Sequence, residues 1–253
     1  MNDSRIGVDG LSRDEVPTAF DAVADDYDRL VAVNPGYHKH LRTSARRMQL
    51  PDRGAGLRLL DAGCGTGAST AALLSVAPKA EIVAVDGSAQ MLARARAKTW
   101  PDSVRFVHSR IEDIEAAGIV GPFDGIFAAY LVRNLADPDA QLRAFAALLR
   151  PGAPLGVHEY SVAESRWARI VWNTVCRTII VPAGWMLSRD ATLYRHLQRS
   201  VVSFDSTSRF RERLRENGFT AVCSETVPGW QHGIVHTFLA TTHRSQYLDG
   251  VER

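Results

Sequence analysis

Cysteine is scarce in this sequence of 253 residues, and its three cysteines lie far apart. Cys64, Cys176 and Cys223 form no CxxC pair and no spacing typical of a zinc site. An odd, scattered set of cysteines excludes the disulfide framework of a small secreted fold. The His, Asp and Glu residues show no metal-ligand spacing either. We therefore expect a cytoplasmic protein that binds no metal ion.

An excess of one charge is also absent, because 30 basic residues nearly balance 28 acidic ones and the net charge is +2. The sequence has no basic run of the kind that neutralises phosphates, so no nucleic-acid partner is expected. The most apolar stretch, 170–187, contains Asn173, Arg177 and Pro182 and is a poor membrane span. The polar N-terminal segment lacks the apolar core of a signal peptide. Any membrane contact is expected to be peripheral.

The order of the apolar segments predicts an α/β fold. Residues 1–15 are expected to form a mobile polar tail, and 16–50 a helical N-terminal cover. From residue 57, helix-favouring segments alternate with short apolar runs at 57–63, 81–86, 104–109, 123–130 and 154–161. Continuous apolar strands separated by helices indicate a parallel sheet covered on both faces. We expect a single domain over 16–253.

The C-terminal part adds a helical insert and a hairpin. Segment 163–198 is the insert, and a further helix is expected at 205–217. The last two strands are predicted at 219–227 and 232–242. Because only a short loop separates them, they should pair antiparallel.

A glycine-rich loop is the sharpest signal in the sequence. The motif LLDAGCGTG at 59–67 ends the first predicted strand and opens a helix. Gly63 and Gly65 permit a tight turn and the close approach of a ligand. Asp86 ends the second strand, where a carboxylate can accept both hydroxyls of a ribose. A ligand-free turn is the simpler alternative, and NAD is the alternative nucleotide.

The motif set resembles that of the class I S-adenosylmethionine-dependent methyltransferases. The loop has the spacing GxGxG, with Asp61 just ahead of it. VDGSAQML at 85–92, FDGIFAAY at 123–130 and LLRPGAPLGV at 148–157 are similar to the later motifs of that family. The resemblance implies a Rossmann-like, mostly parallel sheet of about seven strands with the last strand antiparallel.

The resemblance also implies a cofactor site for S-adenosyl-L-methionine. Its loop residues would approach the methionine part, Asp86 the ribose, and Met91 with the 110–111 segment the adenine. The complete implied set is Asp61, Gly63, Gly65, Thr66, Asp86, Gly87, Ser88, Met91, Arg110, Ile111 and Ala129.

The flanking segments are similar to the UbiE/MenG-type C-methyltransferases of ubiquinone and menaquinone synthesis. FDGIFAAYLVRNL at 123–135 matches without a gap, and AFDAVADDYDRL at 19–30 resembles the N-terminal helix of that family. The resemblance implies Arg133, Asn134 and Tyr27 as catalytic residues. Because arginine is a very weak base, we expect Arg133 to stabilise an oxyanion or orient a water.

Alternatives stay open for these residues and for the reaction. Arg133 in an ion pair with Asp137 or Asp139, and Asn134 as a capping residue, are the structural interpretations. Cys64, Arg110 and Ala129 depart from the family pattern. These departures leave O- or N-methylation of a secondary metabolite, or a non-catalytic cofactor-binding homologue, as alternative functions.

The expected substrate is a small aromatic or prenylated quinol-like molecule. The insert carries large apolar side chains that would either line a tunnel for a prenyl tail or pack the helices onto the sheet. They are Trp167, Trp172, Trp185, Met186 and Leu187. The sequence leaves the oligomeric state open, a homodimer included.

Overall fold

Seven strands form one twisted sheet in the order β3-β2-β1-β4-β5-β7-β6. The computed structural model describes residues 34–188 and 192–243, together with Thr18, Phe20, Asp21, Asp28 and Val31. Strand β7 runs antiparallel to both β5 and β6, and the pairs among β1 to β5 are parallel. The predicted fold class, with a terminal antiparallel hairpin, is therefore confirmed.

The bounds of the elements follow the predicted alternation. The strands are β1 Arg58–Ala62, β2 Glu81–Asp86, β3 Val104–His108, β4 Gly125–Ala129, β5 Pro154–Tyr160, β6 Phe219–Thr226 and β7 Val235–Thr242. The helices with complete ranges are α1 Tyr37–Arg47, α2 Ala68–Val76, α3 Ala89–Arg96, α4 Pro138–Leu148, α5 Arg166–Val175, α6 Val181–Ser188, α7 Thr192–Ser203 and α8 Thr207–Glu216.

Side chains of successive strand residues enter two different cores. Leu60 of β1 is fully buried in a cluster that includes Leu142 of α4 and Phe210 of α8. The preceding residue, Leu59, is buried in a second cluster with Leu41 of α1 and other apolar side chains. Alternation of side chains along a strand produces this arrangement, and it explains why the central strands are apolar throughout. The sheet thus presents its strand ends, rather than its faces, to ligands.

The helical insert is longer than the sequence indicated. It comprises α5, a π-helical turn at Cys176–Ile180, α6 and α7, so its last helix ends at Ser203 rather than at residue 198. Gly184 of α6 is packed against α7, because a Cβ there would lie 2.2 Å from Cδ2 of Tyr194. Among the residues that the structure describes, no helix has the length and apolar character to cross a bilayer.

Candidate active site

The glycine loop joins the carboxyl end of β1 to α2. The backbone N–H groups of Gly63 and Cys64 both donate to the carbonyl of Val85, at 2.9 Å each. Gly65 has φ +54°, and a Cβ built on it would meet nothing within 4 Å. Gly67 has φ +90°, and a Cβ there would lie 2.7 Å from the Trp100 ring. The loop is therefore closely packed below and open above, which makes it a cradle for a ligand.

Asp86 lies at the end of β2 beside this loop. Its Oδ2 accepts from the Gly65 N–H at 2.7 Å, and its Oδ1 accepts from the Ser88 N–H at 2.8 Å. Burial raises the pKa of Asp86, while these two N–H donors lower it. Each carboxylate oxygen has one backbone donor and a further lone pair, so the group is held rigidly and can still accept from a ligand.

Asp61 and Thr66 lie behind the loop and not in the cavity. Asp61 is fully buried and accepts from the Ser69 hydroxyl at 2.9 Å and the Thr70 hydroxyl at 2.6 Å, both on α2. Burial raises the pKa of Asp61 to about 7. The Thr66 hydroxyl donates to Asp28 at 2.5 Å. The two hydrogen bonds that Asp61 accepts from α2 fit a role in supporting the loop.

Two carboxylates of the N-terminal segment contact the loop and α3. Asp28 accepts from Thr66 and forms an ion pair with Lys98 at 2.7 Å. Asp21 accepts from the Ser88 hydroxyl at 2.5 Å and from the backbone N–H of Gln90 at 3.0 Å. These contacts place Asp21 and Asp28 beside the loop and α3.

A cavity of about 720 Å³ opens above the glycine loop and beside Asp86. Its volume lies within the range of roughly 300–1,000 Å³ that is usual for small-molecule sites. Ten of the residues predicted from the sequence line it: Gly63, Gly65, Asp86, Gly87, Met91, Arg110, Ile111, Ala129, Arg133 and Asn134. Ser88 lies behind the wall as the N-cap of α3, and Tyr27 falls outside the described residues.

Arg133 forms a buried ion pair with Glu159, the penultimate residue of β5. Its Nη1 lies 2.6 Å from Glu159 Oε1, and both side chains are almost completely buried. Burial raises the pKa of Glu159, whereas the Arg133 charge lowers it. Neither acidic partner considered from the sequence is used, because Asp137 caps α4 through the Ala140 N–H and Asp139 pairs with Arg213.

Two asparagines line the same cavity. Asn134 donates from Nδ2 to the carbonyl of Tyr130 at 3.2 Å, which turns its Oδ1 away from that carbonyl. Asn34 also lines the cavity. The Oδ1 atoms of Asn34 and Asn134 are buried and have no hydrogen-bond partner among the described residues. A buried acceptor without a donor is costly in a folded protein, so these oxygens are suited to a ligand that donates.

Sequence reasoning missed an aromatic cluster at the carboxyl ends of β4 and β5. The Tyr130 ring stacks on Tyr37 with centroids 5.8 Å apart, and it lies 4.8 Å from the rings of Tyr160 and His158. Tyr130 follows β4 with φ +58°, a conformation that is strained for a side chain of this size. Only the position of Tyr130 and Tyr160 at strand ends could have indicated them from the sequence.

The far end of the cavity is apolar and is built by the insert. Its lining there includes Val171, Val175, Ile179, Ile180, Ala183 and Leu197. Trp172 is fully buried, whereas Trp167 and Trp185 are 72% and 61% exposed, so the tryptophans themselves do not form the wall. The side chains of Met186 and Leu187 lie outside the described part of the chain.

Comparison with known proteins agrees with this geometry. The profile of the ubiE/COQ5 methyltransferase family matches residues 9–241. The chain belongs to this family. It is therefore a methyltransferase of the UbiE type that uses S-adenosylmethionine, and the cradle beside Asp86 fits that cofactor. NAD, the alternative nucleotide, is set aside.

Individual relatives share most of their length with this member of the ubiE/COQ5 family. A ubiquinone/menaquinone biosynthesis C-methyltransferase UbiE from Syntrophotalea carbinolica is 30% identical over 83% of this chain and 88% of its own. A demethylmenaquinone methyltransferase from Clavibacter sepedonicus is 29% identical over 82% and 83%. The solved structure of the [4+2]-cyclase SpnF superposes with a TM-score of 0.65 at 18% identity, covering 95% of this chain and 99% of its own. That last likeness shows the fold alone.

Proposed function

We propose that the chain transfers the methyl group to a ring carbon of a prenylated quinol, of the kind formed by reducing demethylmenaquinone. The names of both relatives support a quinone-type acceptor and, for UbiE, a carbon atom as the site of methylation. The observation that carries the proposal is one cavity that joins the cofactor loop to an apolar pocket. Gly63 and Asp86 line one end, and Val175 and Ile179 line the other.

The polar end of this cavity is where we place the cofactor. The carboxylate of Asp86 would accept from the ribose hydroxyls, and the open side of Gly65 would receive the methionine part. Met91, Arg110 and Ile111 would contact the adenine. Asp61 and Thr66 support the loop from behind, and Ser88 fixes the backbone beside Asp86. When bound, S-adenosylmethionine supplies an electrophilic methyl group.

The acceptor needs activation before its ring carbon can attack. Loss of a proton from a quinol hydroxyl to water delivers charge to the ring carbon. That carbon then forms a bond to the methyl as the sulfur–methyl bond breaks and its electron pair goes to sulfur. Loss of the ring proton and return of a proton to the oxygen restore the aromatic quinol. The side chains of the site must therefore bind a hydroxyl and stabilise its oxyanion.

Three side chains that line the cavity would serve this purpose. The unpartnered oxygens of Asn34 and Asn134 would accept from the quinol hydroxyls. Arg133 would stabilise the oxyanion or orient a water, because its guanidinium keeps its proton and is held by Glu159. Its carbon Cζ lies 5.7 Å from the ring centroid of Tyr130 and 5.5 Å from that of Tyr160, so both aromatic rings also contact the guanidinium. Tyr27, outside the described residues, keeps its predicted catalytic role as part of this proposal.

We also propose that the insert contacts an anionic membrane surface, from which a prenylated substrate enters. Ile179 lines the cavity and is 59% exposed, so it marks an opening between the insert helices. Trp167 and Trp185 are exposed on the same insert. Residues 165–189 contain four arginines and no acidic residue, in a chain whose net charge is only +2. Exposed tryptophan beside arginine is suited to the interface of an anionic bilayer.

The direct test incubates the protein with methyl-labelled S-adenosylmethionine and reduced demethylmenaquinone, followed by mass spectrometry of the quinone. We expect the label on a ring carbon. The matched control is the oxidised quinone, which has no hydroxyl to deprotonate and should gain no label. A labelled methyl on oxygen, or no label while calorimetry shows that the cofactor binds, would contradict the proposed acceptor.

A further inference from the structure

Tyr130 lines the cavity and has a left-handed backbone conformation. Its φ of +58° turns its carbonyl toward Arg133 Nη1 and Asn134 Nδ2, which donate to it at 3.0 and 3.2 Å. Its ring remains in the wall of the cavity, between Tyr37 and Tyr160. Strained backbone persists where the surroundings hold it, and it concentrates at functional sites. The hydroxyl of Tyr130 has no part in the function argued so far.

A chain of hydrogen bonds connects this hydroxyl to Arg47 across three elements. Tyr130 Oη lies 3.0 Å from His158 Nε2, and His158 Nδ1 lies 2.7 Å from Ser44 Oγ. Ser44 Oγ lies 2.6 Å from Thr237 Oγ1, which is 2.7 Å from Arg47 Nη1. His158, Ser44 and Thr237 are fully buried. Water therefore cannot replace any of these partners.

The direction of donation along this chain of hydrogen bonds follows from Arg47, at the end opposite Tyr130. Arg47 can only donate, so Thr237 accepts from it. Thr237 then donates to Ser44, and Ser44 donates to His158 Nδ1. In this arrangement the hydroxyl hydrogens of Thr237 and Ser44 both have an acceptor. Burial lowers the pKa of His158 to about 3, so the ring is neutral and carries its one hydrogen on Nε2.

Tyr130 consequently accepts from His158 and directs its own O–H elsewhere. Burial raises the pKa of Tyr130 well above its usual value, with Tyr160 and Glu159 contributing, so this O–H keeps its proton. It can donate to the neighbouring Tyr160 hydroxyl or to a ligand in the cavity.

We propose that Tyr130 donates a hydrogen bond to the oxyanion of the aromatic acceptor, and that His158 is the positioning residue that fixes the direction of this donor. The proposal rests on the proposed function and assigns a further residue to its site. A donor aimed at the acceptor oxygen stabilises the deprotonated acceptor and so increases the fraction that is ready to react. His158 is too weakly basic to take the proton itself, so it acts only through Tyr130.

The test uses a probe that needs no turnover, 4-nitrocatechol, whose visible spectrum shows whether its hydroxyl is ionised. The ionisation of the bound probe is titrated in the full chain for the wild type, Tyr130→Phe, His158→Gln and His158→Leu. We expect the ionisation constant of the bound probe to fall about tenfold or more in Tyr130→Phe, as for loss of a charge-assisted hydrogen bond. The ionisation constant of the bound probe should fall less in His158→Gln, whose amide can still donate to Tyr130, than in His158→Leu.

Turnover provides the second readout. With reduced demethylmenaquinone, Tyr130→Phe should lower kcat by about 10²-fold or more and move the acidic limb of the pH profile to higher pH. The dissociation constant of the cofactor should stay within about twofold, since no cofactor contact is removed.

The outcomes separate the two proposals. Unchanged ionisation of the probe in Tyr130→Phe, or a wild type that does not bind the probe, would overturn the role of Tyr130. A probe that responds as expected in a wild type that methylates no quinol would contradict the proposed acceptor and leave Tyr130 as the donor. Urea unfolding of each variant shows whether an altered response reflects loss of folding.

Discussion

Nη1 of Arg133 lies 2.6 Å from Oε1 of Glu159, and this ion pair is enclosed where β4 and β5 end. The carboxylate also accepts from the backbone N–H of Tyr160 at 2.9 Å. Removal of one buried partner leaves the other as an uncompensated charge, which typically costs about 3–5 kcal/mol. A simple Arg133→Ala variant therefore combines a stability effect with a catalytic one.

A paired substitution separates these effects. We expect Arg133→Ala to lose about 3–5 kcal/mol of unfolding free energy, and Arg133→Met with Glu159→Gln to recover most of it. The double variant should still lose about 10²-fold in kcat, because the stabilising charge is gone. Urea unfolding and steady-state kinetics measure the two quantities. A stable double variant with kcat within twofold of the wild type would leave Arg133 a structural role only.

Asp86 should determine cofactor affinity. Replacing it with alanine removes the acceptors proposed for the ribose and those observed for the Gly65 and Ser88 N–H groups. Hydrogen bonds to a charged group contribute about 1.5–3 kcal/mol, so the dissociation constant should rise about 10- to 150-fold. Calorimetry with S-adenosylmethionine measures it, and Asp113→Ala, at an exposed carboxylate, is the control. Equal affinity in Asp86→Ala and the wild type would refute the ribose assignment.

His158 should make the folded state sensitive to acid. Its pKa falls from 6.5 to about 3 on folding, so the unfolded chain binds more protons than the native one within that interval. The contribution of this group is complete above pH 6.5 and is lost progressively as the pH falls toward 3. Urea unfolding of the wild type and His158→Gln should therefore diverge with pH, the wild type losing more stability on acidification.

Thr237→Val is the matched control for that experiment. It interrupts the same hydrogen-bond chain without removing a titratable group. Because the titratable group is kept, the unfolding free energy of Thr237→Val should lie below that of the wild type by the same amount at every pH. If the unfolding free energies of His158→Gln and the wild type change in parallel across this pH interval, the prediction that buried His158 is neutral is wrong.

The exposed tryptophans should control membrane binding. Trp167→Ser and Trp185→Ser should each weaken binding to vesicles that contain anionic phospholipid by about tenfold, since burial of a large apolar side chain contributes about 1.5–3 kcal/mol. Val120→Ser is the control, because Val120 is 60% exposed but precedes β4, at the opposite end of the parallel strands. Sedimentation with vesicles measures the binding, and equal losses in all three variants would argue against a specific face.

Local patterns were enough to predict which residues line the cavity at the glycine loop. The glycine loop and Asp86 are defined by spacing along the chain, and parallel strands bring their ends together. The partner of Arg133 could not be found this way. Asp137 and Asp139 are nearer in sequence, but the turn Val132–Asn134 brings Arg133 to the end of β5 instead.

The chain of hydrogen bonds behind Tyr130 could not be predicted from the sequence either. It joins Ser44 of α1, His158 of β5 and Thr237 of β7, which meet only because β7 lies beside β5 in a particular register. In the sequence, His158 reads as one strand-end histidine among several. The left-handed backbone of Tyr130 gives no signal either, because tyrosine is not a residue that favours it.

Asp21 and Asp28 of the N-terminal segment contact α3 and the glycine loop. Phe20 and Val31 of that segment form part of the cavity wall. The ion pair of Asp28 with Lys98 is partly exposed, so dissolved salt weakens it. The contact of Asp28 with Lys98 beside the glycine loop should therefore be weaker at high ionic strength than at low.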